Sequence, residues 1–233
     1  MADRSASNLK SYNASYDALC KFFAKADFSS DSDAVIQGVH MVYGWMPTII
    51  NLTKSSNVFD EASGVFNQQA LKEIGRIMQE AKKAKREDYI SENCSHNIFK
   101  KELVSKSKNG AQSDFEKLVM FVNNSVVGSS KVLHFCNPEV FPICDSKIQN
   151  KLNLSEGTKL TINVYKKYLA GILKMSDEKE IVKLKKLGFV IDSESSISKV
   201  RQIELQLFEM SQKENEMDQE NEKDKGLMEY FKS

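Results

Sequence analysis

Apolar residues return at three- and four-residue intervals along almost the whole chain, the spacing of one buried face on an α-helix. Leu9, Tyr12, Tyr16, Leu19, Cys20 and Phe23 make the first such stripe. Asp31, Ser32 and Asp33 then supply caps for a second helix carrying Val35, Val39 and Val42. Gly44, Trp45, Met46 and Pro47 interrupt that helix, because proline lacks an amide donor and restricts the residue before it. Trp45 at this break is read in two ways, as a core side chain or as the wall of a pocket. Ala70, Leu71, Ile74, Ile77, Met78 and Ala81 predict a helix over 67–86, with Lys82, Lys83, Lys85 and Arg86 gathered at its end, and the same pattern continues over 89–108. These cations suit a solvated helix C-terminus, with phosphate contact as the alternative.

Ser113 is placed to cap a helix over 115–123 whose face is Phe115, Leu118, Val119 and Val122. Further helices are predicted over 162–175 and 178–187, the latter stopped by Gly188. Ile197, Val200, Ile203, Leu207 and Met210 keep the seam of a long final helix. Only Val140-Phe-Pro-Ile-Cys-Asp145 and Gly188-Phe-Val-Ile-Asp192 have the look of extended chain. The expected fold is therefore all-α. A multi-helix globular body of one or two lobes spans 1–210, and 211–233 forms an acidic linker ending in a short apolar motif.

Composition changes this picture little. With 233 residues and 41% hydrophobic positions, the chain can bury a sizeable core. The formal charge is +1, but the acidic stretch 209–229 holds eight acidic and three basic residues, −5, which leaves about +6 on the rest. A mildly basic body is compatible with nucleic acid as a partner, and the lysines from Lys159 to Lys186 form its most basic region. Cys20, Cys94, Cys136 and Cys144 show no CxxC pair and no spacing that closes a zinc site, so they are read as reduced core residues. No metal and no cofactor is expected. The first ten residues contain no apolar h-region, and no apolar run approaches a membrane span; a soluble intracellular protein is the expectation.

One stretch departs from the Lys/Glu-rich background. Residues 125–152 hold two of the three prolines, two of the four cysteines and His134. A turn ending at Gly128 is expected, with Ser129 or Ser130 capping a helix from Lys131 that buries Val132, Leu133, Phe135 and Cys136 and stops at Asn137-Pro138. Phe141, Pro142, Ile143 and Cys144 form an apolar plug, and Asp145 opens the next helix. There the helix dipole and partial desolvation act on its carboxyl in opposite directions. An N-cap satisfying free amides and a functional carboxylate are both open to Asp145.

The order of Gly128, Lys131, Pro142 and Asp145 resembles the helix-hairpin-helix DNA glycosylase superfamily. Its signature is a Gly-rich hairpin, a helix, and an aspartate following a buried strand-like segment. The resemblance covers 126–152 and implies an enzyme that excises a damaged or modified base from DNA. It makes Asp145 the residue that stabilises the cationic sugar or activates the nucleophile. Lys131 becomes the candidate amine nucleophile, and Gly128, Ser129, Ser130 and Lys147 the candidate phosphate contacts. A flipped base needs apolar walls, for which Tyr43, Trp45 and Phe141 are available, with His134 on the same helix face as Lys131. A lone histidine among Leu133 and Phe135 is equally read as a structural residue. Leu227, Tyr230 and Phe231 resemble a sliding-clamp-binding motif with Asp224 in place of its Gln. Docking onto the chain's own core, or onto a second copy, is the alternative. The competing class of function is a non-catalytic helical DNA-binding or replication-associated module in which Asp145 only caps a helix.

Overall fold

Helices carry the fold, as the apolar spacing predicts. The computed structural model describes residues 3–44, 59–60, 63, 65–90, 113–152, 160–213, 227 and 229–231. Its helices are α1 (Asp3–Lys25), α2 (Ser32–Gly44), α3 (Gln68–Lys83), α4 (Glu87–Ile90), α5 (Asp114–Phe121), α6 (Val126–Cys136), α7 (Ser146–Lys151), α8 (Ile162–Met175), α9 (Glu178–Lys186) and α10 (Lys199–Lys213). An antiparallel pair, β1 (Phe59–Asp60) with β2 (Val65–Phe66), is too short to announce itself by alternation. Trp45 and Pro47, the predicted continuation over 91–108, Lys159 and the acidic stretch 214–226 lie outside the described residues.

Local chemistry explains the helix ends. Asn67 caps α3 by accepting from the amides of Gln69 and Ala70, and Thr161 caps α8. Ser113 forms a capping box with Glu116, as its position before the Phe115 stripe predicts. The start of α6 differs from expectation. Asn123 and Asn124 both take left-handed backbone conformations, φ 55° and 54°, which asparagine tolerates better than most residues. Ser125 is the N-cap, accepting from Gly128 N. The hairpin between α5 and α6 is thus turned by two asparagines, and Gly128, Ser129 and Ser130 are already inside the helix.

One apolar core runs from Tyr16 to Phe231. Around α6 pack α1, α2, α3 and α5, whereas α8 packs against α4, α9 and α10. Lys82 and Arg86 join these parts from within. Lys82 Nζ donates to the carbonyls of Ala24, in the last turn of α1, and Ala26, just after it, and lies over the Phe28 ring. Arg86 donates to Leu173 O near the end of α8 and pairs with Asp177. Each cation meets the negative end of another helix, so neither is available for phosphate in this arrangement. Lys83 and Lys85 remain exposed. Among the described residues, no helix is long and apolar enough to cross a membrane.

Candidate active site

The segment 141–145 leaves α6, crosses the core in extended form and ends at α7. A buried chain outside helices must find partners for its amides and carbonyls, and among the described residues no strand supplies them. Helix side chains do. His134 Nδ1 donates to Phe141 O at 2.7 Å, Tyr165 OH to Pro142 O at 3.1 Å, and Tyr168 OH to Ile143 O at 3.1 Å. In the other direction Ile143 N donates to Glu204 Oε2 at 3.0 Å and Cys144 N to Ser130 Oγ at 3.2 Å. Residues of α6, α8 and α10 therefore converge on four consecutive positions and fix where Asp145 emerges.

The same contacts settle the state of His134. A carbonyl only accepts, so Nδ1 carries the proton, and Nε2 accepts from Tyr16 OH at 2.8 Å. Burial, helped by the nearby Arg201 charge, pushes the imidazole down to about 3, and it is neutral. The Arg201 guanidinium lies 5.2 Å from the Tyr16 ring centroid, a cation–π arrangement. His134 is thus a fully buried structural residue, not a wall beside Lys131.

Beneath Asp145 is a buried ion pair that the sequence reading missed. Arg201 and Glu204 on α10 are hydrogen-bonded to each other and almost wholly excluded from water. Burial raises the Glu204 carboxyl, against the lowering effects of Arg201, the Ile143 amide and Lys131. Lys131 is half-buried, and burial lowers its ammonium pKa while Asp145 and Glu204 raise it. The charges of Lys131, Asp145, Arg201 and Glu204 therefore act on one another, with Lys131 and Asp145 half-buried and Arg201 and Glu204 buried. Glu204 stands four residues after Val200 and three before Leu207, so a carboxylate on an apolar face was the available signal.

The other expected site residues are distributed differently. Asp145 Oδ1 accepts from Lys147 N at 2.9 Å, so it does cap α7. Lys147 is exposed, with its ammonium 5.8 Å from the Phe208 ring centroid. Gly128, Ser129 and Ser130 are buried: a Cβ at Gly128 would stand 2.8 Å from Val122 Cγ1 and 3.0 Å from Tyr43 OH. Ser129 Oγ donates to Ser125 O and Ser130 Oγ to Val127 O. The Gly128 amide and both serine hydroxyls are thus engaged within the fold. Phe141 is fully buried against Tyr89, ring centroids 5.3 Å apart, and Tyr43 is buried beside Gly128; both belong to the core rather than to an open base pocket. Trp45 falls outside the described residues. Cys136 and Cys144 are buried free thiols, and Cys20 is a half-buried one.

Comparison with protein-family models, curated proteins and solved structures yields no match.

Proposed function

We propose that this chain is a DNA glycosylase-like enzyme that removes a damaged or modified base by breaking its N-glycosidic bond. The observation that carries this reading is the convergence of Asp145 and Lys131 on one charge cluster, at the end of a buried segment held by three helices. As the base departs with the bonding electrons, positive charge grows on the sugar, and a fixed carboxylate stabilises it. Water then bonds to the anomeric carbon and gives up its proton, for which Asp145 is the acceptor at hand. Lys131 acts on a DNA phosphate or, as a neutral amine favoured by its burial, attacks the sugar in place of water.

Incubating the protein with DNA from several sources should leave abasic sites. Asp145→Asn, which keeps the cap, should lower their formation by about 10²–10³-fold while leaving DNA binding intact. Unchanged excision would remove Asp145 from the mechanism. Borohydride trapping separates the two roles of Lys131: an adduct that survives Lys131→Gln excludes it as the nucleophile. The second reading is a non-catalytic DNA-binding module, and the Asp145–Lys147 cap is the observation that favours it. That module would bind DNA and make no abasic sites.

A further inference from the structure

Tyr230 and Phe231, near the C-terminus, are docked on α8. Phe231 stacks on Tyr168, with ring centroids 6.0 Å and planes 15° apart. So close an approach depends on Gly171, where a Cβ would stand 2.4 Å from Phe231 Cδ1 and Cε1 and 2.9 Å from Tyr230 O. Tyr230 OH donates to Glu180 Oε2 at 2.5 Å, and Lys174 Nζ lies 5.9 Å from the Tyr230 ring centroid. Leu227 and Phe231 are buried. Any partner that takes hold of Leu227, Tyr230 and Phe231 must first lift them from this surface.

What the segment touches gives the docking its consequence. Tyr168, on which Phe231 stacks, donates its hydroxyl to Ile143 O. Ile143 N is held in turn by Glu204, and Asp145 follows two residues later. We infer that Tyr230 and Phe231, with the buried Leu227, form a latch that holds Asp145 in register through Tyr168 and Ile143. The latch couples the C-terminus to the candidate carboxylate by a stacked ring and two hydrogen bonds, and it rests on the glycosylase reading only for its effect on base excision.

Hydrogen exchange in the full chain tests this without reference to activity. Phe231→Ala should speed exchange of the Ile143 and Cys144 amides by about a hundredfold, as expected if a buried aromatic contact is lost from their opening equilibrium. Gly171→Ala, which blocks the approach from the α8 side, should do the same. Phe231→Tyr, which keeps the ring, should stay near the wild-type rate. The amides of Val35 and Val39 in α2 should not change in any of them. Unaltered exchange at Ile143 and Cys144 in both Phe231→Ala and Gly171→Ala would overturn the latch. An equal acceleration at Val35 and Val39 would overturn it too, since the segment would then contribute only general stability. Local acceleration in a protein that makes no abasic sites would uphold the latch and refute the glycosylase reading.

Discussion

Two extended segments of this protein solve the same problem under opposite conditions. The inner one, 141–145, crosses the core; the outer one, 189–192, runs along the surface beside α10. Among the described residues neither pairs with a strand, and both are held by helix side chains. In the outer segment Gln206 accepts from Val190 N at 2.7 Å and donates to Val190 O at 2.8 Å. Gln202 does the same for Asp192, at 2.7 and 2.9 Å. A carboxamide offers a donor and an acceptor together, which suits one exposed residue at a time. The inner segment instead uses His134 and Ser130 of α6, Tyr165 and Tyr168 of α8 and Glu204 of α10, one contact each. The difference lies in what replaces a lost partner. Val190 is 78% exposed, so water can take over from Gln206, whereas Glu204 at 3% has no such substitute.

Removing single partners should expose that asymmetry. Glu204→Ala removes the carboxylate that Arg201 and the Ile143 amide both bond, and should cost about 3–5 kcal/mol in urea unfolding. A loss below 1 kcal/mol would mean that water reaches the pair. Tyr168→Phe strands a single neutral carbonyl and should cost about 1–3 kcal/mol. Acid should act through His134. Its folded-state pKa of about 3 lies below the unfolded value near 6.5, so only the unfolded chain takes up the proton in that window. The stabilisation is complete above about pH 6.5 and is lost as pH falls toward 3. His134→Gln should flatten this slope in unfolding curves collected across the window, and an unaltered slope would assign the acid sensitivity elsewhere. The smallest effect belongs to the outer segment, where Gln206→Ala should stay within about 0.5 kcal/mol of the wild type.

Much of the framework was legible from residue spacing. The stripes on α2, α3, α5 and α10 bury most of the side chains that the pattern picked out, because a 3.6-residue period leaves a direct trace in the chain. The plug at Phe141 and Ile143 was equally visible as apolar residues around a proline that cannot join a helix. What spacing could not give was long-range polar pairing. Tyr165 and Tyr168 lie within the helix predicted over 162–175, but their hydroxyl partners are 23 and 25 residues away in sequence. Arg201 and Glu204 were hidden among the hydrophilic residues of α10. Gly128 misplaces the hairpin, since glycine is the commoner left-handed residue, whereas here Asn123 and Asn124 make the turn. Asp145 and Lys131 were found by their order along the chain, and the fold brings them into one electrostatic cluster.

The most direct measurement is amide exchange in the unmodified protein, comparing Ile143 and Cys144 with Val190 and Asp192. If helix side chains lock the inner segment and so fix Asp145, the first two amides should exchange only with opening near the global unfolding free energy. The latter two should exchange through small local openings. Comparable protection in the two segments, or rapid exchange at Ile143 and Cys144, would contradict a rigidly held carboxylate.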